Sequence, residues 1–134
     1  LNVRFVDDQP VEKFNALLSM ASVHFLPQKA DVADLVMPSK LTGMMASGRP
    51  IIATAVSGTS VSDAVRGRGV VVPPGDIEQF CDAIVDLAAD SQLCENTGHM
   101  ARQWAEENLD QRKILKSLLR ALKDKSKDCG SNAE

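Results

Sequence analysis

The chain has 134 residues, about the length of one domain, with 44% hydrophobic and 25% charged residues, as in soluble globular proteins. A net charge of −3 gives no reason to expect a nucleic-acid partner, because nucleic-acid-binding domains are usually basic. No apolar run approaches the roughly 18–20 residues that cross a bilayer. The three cysteines, Cys81, Cys94 and Cys129, have neither zinc nor redox spacing, which favours a reducing, cytoplasmic setting.

Four short apolar segments predict β-strands. Two of them, PIIATA and GVVVPPG, are apolar on both faces, which suits a parallel sheet that is covered on both sides. In chain order, the predicted strands lie at residues 2–6, 22–27, 50–55 and 69–75.

Helical spacing of apolar residues predicts helices between and after these strands. Gly48 and Pro50 end a short helix, and Asp76 with Gln79 forms a plausible capping pair at the start of a longer one. In chain order, the predicted helices lie at residues 10–21, 39–47, within 57–69, and at 77–90, 91–107 and 110–122.

Three helices with distinct patterns close the chain. Cys81 falls on an apolar face of the first and is expected in the core, and Gly98 inside the second is explained by close packing. The last helix combines a predicted core stripe with a basic outer face, which is either solvated or lies on anionic lipid. The stripe consists of Ile114, Leu115, Leu118, Leu119 and Leu122, and the basic face of Arg112, Lys113, Lys116, Arg120, Lys123, Lys125 and Lys127. Residues 1–122 are expected to form one domain and 123–134 a disordered tail.

The order of strands and helices predicts the fold class. Strands that alternate with helices indicate an α/β protein with a doubly wound, right-handed parallel sheet of Rossmann-like type, here with a helical C-terminus. Such sheets bind ligands beyond the carboxyl ends of their strands. Residues 38–42 follow the predicted strand at 22–27 by a loop, so they should lie at that edge.

The sequence Pro-Ser-Lys at 38–40 opens the short helix and is a candidate anion site. A helix N-terminus has unpaired N–H groups and a partial positive charge, which suit a phosphate. Ser39 either caps the helix or donates its hydroxyl group, and Lys40 adds a full positive charge. The amides of Ser39, Lys40, Leu41 and Thr42 would face the ligand. The alternative is an ordinary junction between a loop and a helix.

Other polar groups give weaker signals. His24 and His99 have no acid or cysteine at ligand spacing, and the sequence has no phosphate-binding loop, nucleophile elbow or GxGxxG motif. The turn Ser-Gly-Thr at 57–59 either contacts a sugar or phosphate or only reverses the chain. Asp31 and Asp34 precede the candidate anion site and are either solvated or close to its ligand.

The stretch PSKLTGMMASGRPIIAT, residues 38–54, resembles the donor-binding, C-terminal half of family 4 glycosyltransferases of the GT-B fold. Those proteins carry PSK and then an E-x-M-A-x-G-x-P-V-I-A-T type sequence. FLPQKADVADLVMPSKLT is similar to bacterial exopolysaccharide enzymes of the colanic acid biosynthesis type, and VVVPPGD and AEENLD also fit. The resemblance covers about residues 2–122.

The resemblance implies a set of site residues. In the family, amides at the start of this helix hold the diphosphate of a nucleotide sugar. The family's two glutamates align with Leu35 and Gly43, so the sugar and ribose contacts differ here, and Asp34 is a candidate substitute. The implied residues are Ser39, Lys40, Leu41 and Thr42 for the diphosphate, Asp34, Leu35 and Gly43 for sugar or ribose, and Val6 and Asp7 for the base.

The resemblance also implies a reaction and its partners. We expect a hexosyl- or deoxyhexosyltransferase of exopolysaccharide biosynthesis that uses a nucleotide diphosphate sugar, with no cofactor and no bound metal. The chain would be part of a longer enzyme, inactive without its N-terminal acceptor domain, cytoplasmic, and in peripheral contact with the inner membrane face. The resemblance identifies no catalytic residue. Alternatives are a lobe of a nucleotide-sugar epimerase and a non-catalytic α/β interaction module.

Overall fold

The computed structural model describes residues 3–30 and 37–130, with side chains through residue 123. The strands are β1 His24–Leu26, β2 Ile51–Thr54 and β3 Val70–Val72. The helices are α1 Phe14–Met20, α2 Ser39–Ala46, α3 Ser60–Val65, α4 Ile77–Ala89, α5 Ser91–Asn108 and α6 Gln111–Gly130, and a 3₁₀ turn at Val11–Lys13 leads into α1. Each predicted helix therefore has a counterpart, as do the predicted strands at 22–27, 50–55 and 69–75.

The strands form a parallel sheet in the order β1-β2-β3. Phe25 pairs with Ile52, and Ala53 pairs with Val71, so β2 lies between the other two strands. Parallel neighbours require crossover connections, and helices supply them here. The fold class is α/β and Rossmann-like, as the order of strands and helices predicted.

Side chains of β2 point alternately into two apolar layers. Ile51 and Ala53 pack with residues of α2, α3 and α5, whereas Ile52 packs with Ala83 and Leu87 of α4. All three of these β2 side chains are fully buried. The continuous apolar sequence of this strand is therefore explained by cover on both faces of the sheet.

Two glycines allow α5 to pass directly over the end of α2. A Cβ atom built on Gly98 would lie 2.2 Å from the carbonyl oxygen of Gly48. Gly48 follows α2 with a φ of 71°, a conformation that favours glycine. The close packing predicted for Gly98 is confirmed.

His24 has a structural environment at the amino end of β1. Its side chain is buried, and its Nε2 lies 3.0 Å from the hydroxyl group of Ser47. Burial lowers the pKa of His24, and the positive charge of Arg49 acts in the same direction. This end of the sheet is opposite to the edge at which a ligand is expected.

The strand predicted at 2–6 is wrong over its described part. Residues 3–6 are not paired with any described strand, and the side chain of Phe5 is 95% exposed. A strand needs a neighbour for its backbone hydrogen bonds, and β1, the strand at the edge of the sheet, pairs with β2 alone among the described residues. Local β-propensity was therefore not sufficient to form this strand.

Two predictions about buried helix faces are also wrong. Cys81 is exposed because α4 packs through Ala83 and Leu87, which places Cys81 on the outer side. The predicted core stripe of α6 is exposed as well, since each of its five large apolar side chains is between 48% and 58% accessible. Helix α6 continues to Gly130, beyond the boundary predicted at residue 122. The division of the chain into a domain and a tail stays a prediction.

Candidate functional site

A groove lies where β1 ends and α2 begins. Its volume is about 620 Å³, and its walls come from the chain that leaves β1 and from the first residues of α2. The lining residues are Phe25, Leu26, Pro27, Gln28, Lys29, Pro38, Ser39, Lys40 and Met44. The groove is therefore at the carboxyl edge of the parallel sheet, where α/β proteins bind ligands.

Pro38 sets the direction of α2 at this edge. It occupies the N-cap position with extended backbone angles (φ −62°, ψ 126°), and Ser39 is the first helical residue. Ser39 therefore does not cap the helix. Its side chain is exposed, so the other role predicted for it, donation of its hydroxyl group to a ligand, is still possible. The first amides of a helix have no intrahelical acceptor, so this end of α2 attracts anions.

The four predicted diphosphate residues differ in what they offer. Ser39 and Lys40 are exposed and line the groove. Leu41 is fully buried, and its amide donates to the carbonyl oxygen of Pro38 at 3.0 Å. The hydroxyl group of Thr42 donates to the carbonyl oxygen of Ser39 at 2.6 Å, so it is used within the helix. Ser39 and Lys40 are therefore the stronger candidates.

Two groove residues were not assigned a role from the sequence. Lys29 is exposed and lines the groove together with Lys40, so two cations border the same space. The backbone of Gln28 is held by Thr54 at the end of β2. The backbone N–H of Gln28 donates to Thr54 Oγ1 at 2.7 Å, and the Thr54 hydroxyl group donates to the backbone carbonyl oxygen of Gln28 at 2.9 Å. Their position in the sequence could have identified both residues as candidates. Gln28 and Lys29 directly follow the strand predicted at 22–27, so they lie at the edge of the sheet where a ligand is expected.

Three of the remaining predicted site residues, Val6, Asp7 and Gly43, do not line this groove. Val6 and Asp7 are exposed in the irregular segment before α1. Gly43 faces α1, because a Cβ atom built on it would lie 3.2 Å from Leu18 Cδ1. Asp34 and Leu35 are outside the described residues. Roles for these positions in base, ribose or sugar binding stay predictions.

A second cavity of about 550 Å³ lies at the same edge, beyond β2 and β3. Arg66 borders it and points Nη2 at the hydroxyl groups of Ser57 and Ser62, each at 3.4 Å. Thr59 accepts a hydrogen bond from the Ser62 amide and donates one to the Val56 carbonyl oxygen, so it caps α3. The Ser-Gly-Thr segment is therefore at least a helix-capping turn.

Neither a metal cluster nor a spanning helix is found in the described part of the chain. Within residues 3–30 and 37–123, no three His, Cys, Asp or Glu side chains are grouped so that they could hold a metal ion. Over the described backbone, residues 3–30 and 37–130, no helix has the length and apolar character needed to cross a bilayer.

The amino-acid sequence matches a protein family and a known relative. Residues 1–90 match the family model described as Glycosyl transferases group 1, which is more than half of the chain. WcaI of Escherichia coli (strain K12), a glycosyl transferase assigned to colanic acid biosynthesis, is 31% identical over 121 residues. The match covers 88% of this chain and 29% of WcaI, so the chain spans less than a third of that relative. No solved structure matches the chain significantly.

Proposed function

We propose that this chain, which belongs to the group 1 glycosyl transferases, is the donor-binding part of an enzyme that transfers a sugar from a nucleoside diphosphate sugar. The observation that carries the proposal is the groove at the carboxyl edge of β1, into which the N-terminus of α2 opens beside Lys40 and Lys29. A diphosphate needs concentrated positive charge, and this end of α2 offers helix amides and two cations together.

Each groove group has a role in this proposal. The amides of Ser39 and Lys40 donate to oxygen atoms of the diphosphate, and the Ser39 hydroxyl group is a further donor. Lys40 and Lys29 neutralise the negative charge that grows on the leaving diphosphate as the glycosidic bond breaks, which is electrostatic stabilisation of the transition state. We propose that these groups act without a bound metal ion or other cofactor.

The complete enzyme needs residues that this chain does not supply. The chain corresponds to 29% of WcaI, and we propose that an N-terminal acceptor domain completes the active site. The name of WcaI supports a role in the biosynthesis of colanic acid or a similar cell-surface polysaccharide. We propose a hexose or deoxyhexose as the transferred sugar. We further propose that the protein acts in the cytoplasm, where nucleotide sugars are the activated donors, and that the chain alone does not turn over.

An amide-resolved NMR titration with GDP, UDP and ADP, in the absence of metal, tests the donor site. We expect the largest shifts at Ser39, Lys40 and Gln28, because these residues line the groove. The variant Lys40→Gln should weaken binding about fivefold to tenfold, as expected for one exposed charge-assisted contact of about 1 kcal/mol.

Lys13→Gln is the matched control, because Lys13 is an exposed lysine that does not line the groove. It removes the same charge and should leave the dissociation constant within twofold of wild type. Equal weakening by both variants would mean that net charge, not the groove, determines the affinity. Shifts clustered around Ser57 and Arg66 would move the site to the second cavity.

A further inference from the structure

The second cavity, beyond the ends of β2 and β3, has the composition of a small-molecule site. Its volume of about 550 Å³ is within the roughly 300–1,000 Å³ that is usual for such sites. Small-molecule sites combine apolar walls with a few polar groups that fix the ligand. The apolar walls of this cavity are formed by Ala55, Val56, Val71, Pro73 and Pro74. The function proposed above gives this cavity no role.

Arg66 carries the charge of the cavity. It is the only charged residue among the described residues that line the cavity, and it forms no ion pair with a described residue. Its only described side-chain contacts are those of Nη2 with the hydroxyl groups of Ser57 and Ser62, each at 3.4 Å. Both contacts are longer than a good hydrogen bond, so the guanidinium group keeps most of its donors for another acceptor.

Other arginines of the chain are used to hold the fold. Arg49 donates to the Ser19 carbonyl oxygen from two nitrogen atoms, at 2.8 and 3.1 Å. Arg102 pairs with Glu106 at 2.6 Å. Arg66 has no contact of this kind with a described carbonyl or carboxylate oxygen, although it lies beside a cavity. Its guanidinium group is therefore better placed to bind a ligand than to stabilise the fold.

The backbone that carries Arg66 is fixed at the rim of the cavity. The Arg66 N–H donates to the Ser62 carbonyl oxygen at 2.9 Å, and Arg66 forms a β-bridge with Gly69. Gly67 follows with a φ of 74°, and a Cβ atom built on it would meet no described atom within 4 Å. The turn therefore leaves open space directly beside the guanidinium group.

The two serines at Arg66 have different roles. Ser62 is fully buried, and the described partner of its hydroxyl group is Arg66, so it orients the guanidinium group. Ser57 is exposed at the cavity. Its hydroxyl oxygen accepts from Arg66, which leaves its own proton free to donate to a ligand. The cavity thus presents a guanidinium group and a hydroxyl donor together.

We propose that the second cavity binds a small organic phosphate ester, at a site separate from the donor groove. The guanidinium fork of Arg66 donates to two phosphate oxygen atoms, and the Ser57 hydroxyl group donates to the third. A carboxylate has one oxygen atom fewer and uses these donors less completely. The organic part of the ester lies against the apolar walls at Val56, Val71 and Pro73. All of these groups belong to described residues of this chain, so the site does not need the N-terminal domain proposed above.

An amide-resolved NMR titration of the 134-residue chain with phenyl phosphate, inorganic phosphate and benzoate tests this proposal. We expect phenyl phosphate to shift Ser57, Arg66 and Gly67 most. It should bind there about fivefold to tenfold more tightly than inorganic phosphate, because its ring covers apolar wall. Benzoate should bind more weakly than phenyl phosphate. Benzoate binding as tight as that of phenyl phosphate would overturn the assignment to phosphate esters.

Two variants separate the charge from the apolar wall. Arg66→Gln should weaken phenyl phosphate binding about tenfold, as the loss of a charge-assisted pair of hydrogen bonds requires. Val56→Ser should reduce the preference for phenyl phosphate over inorganic phosphate and leave inorganic phosphate binding unchanged. Both substituted side chains are exposed, and unchanged amide spectra away from the cavity would show that the variants are folded.

Arg120→Gln is the matched control, because Arg120 is an exposed arginine that does not line the cavity. It should leave phenyl phosphate binding within twofold of wild type. Equal weakening by Arg66→Gln and Arg120→Gln would show attraction by net charge and overturn the proposal, as would equal affinities for phenyl phosphate and inorganic phosphate.

A repeat of the titration in the presence of UDP separates the two sites. We expect the phenyl phosphate shifts at Ser57 and Arg66 to persist when UDP is bound. If UDP shifts these residues itself and displaces phenyl phosphate, the cavity belongs to the donor site and the proposal of a separate site is wrong. If UDP does not bind at all and phenyl phosphate still shifts the cavity, the donor-site proposal fails alone.

Discussion

Replacement of Gly98 by Ala tests whether the approach of α5 to α2 is as close as the structure shows. Two effects of opposite sign compete. Alanine in a helix interior is favoured over glycine by about 1 kcal/mol. The added methyl group would lie 2.2 Å from the Gly48 carbonyl oxygen and 3.0 Å from its carbonyl carbon, and both atoms belong to the backbone. Ordinary contact therefore requires α5 to move away from α2 by about 1 Å, which is overpacking with a typical cost of 1–3 kcal/mol, and more where backbone must move.

The steric effect should exceed the helix propensity, because no flexible side chain can yield. We expect Gly98→Ala to lower the free energy of unfolding by about 1–2 kcal/mol after the propensity gain is subtracted. Urea denaturation followed by circular dichroism measures this change, and an unchanged m value would show that only stability is altered. Glu95→Ala is the control on the same helix, because Glu95 is exposed and should change the stability by less than about 0.5 kcal/mol. A stabilised Gly98→Ala protein would refute the close approach of the two helices.

Two further changes address the sheet. Thr54→Val removes both hydrogen bonds that hold Gln28. We expect a loss of about 1–3 kcal/mol in the free energy of unfolding, together with weaker nucleotide binding. A Thr54→Val protein as stable as wild type would show that water replaces the threonine hydroxyl group. Burial lowers the pKa of His24, so below its ordinary pKa of about 6.5 the unfolded chain binds more protons than the folded chain. The contribution of neutral His24 to the free energy of unfolding is therefore complete above that pH and is lost as the pH falls below it. His24→Gln should flatten the decline in stability as pH falls below about 6.5, and parallel pH profiles for both proteins would contradict this assignment.

Elements with strong local signals could be predicted from the sequence. Helix α2 is one case: Gly48 has a positive φ directly after it, and Pro50 begins the next extended segment. Asp76 is another, because its carboxylate accepts from the Gln79 amide at 2.9 Å and from the Gln79 side chain at 2.7 Å. These signals depend on a few neighbouring residues, so the rest of the fold is not needed to interpret them.

Features that depend on distant neighbours could not be predicted in the same way. The segment at 3–6 has β-propensity, but a strand exists only when another strand pairs with it. The apolar pattern of α6 correctly predicts an amphipathic helix, yet a pattern does not state what covers the apolar face. The interaction of Gln28 with Thr54 joins residues 26 positions apart, and nothing in the local sequence around either residue predicts that contact.

The position of α2 connects the stability of the fold with the proposed chemistry. Near its C-terminal end, Ser47 contacts buried His24, Gly48 touches Gly98, and Arg102 of α5 donates to the Ala46 carbonyl oxygen. Near its N-terminal end, the Gln28 and Thr54 pair fixes the chain that forms the opposite wall of the groove. A diphosphate site made of helix amides is only as well oriented as the helix axis, since the amides cannot turn independently. Substitutions at Gly98, far from Lys40 in the sequence, should therefore weaken nucleotide binding as well as stability, whereas Lys40→Gln should affect binding alone.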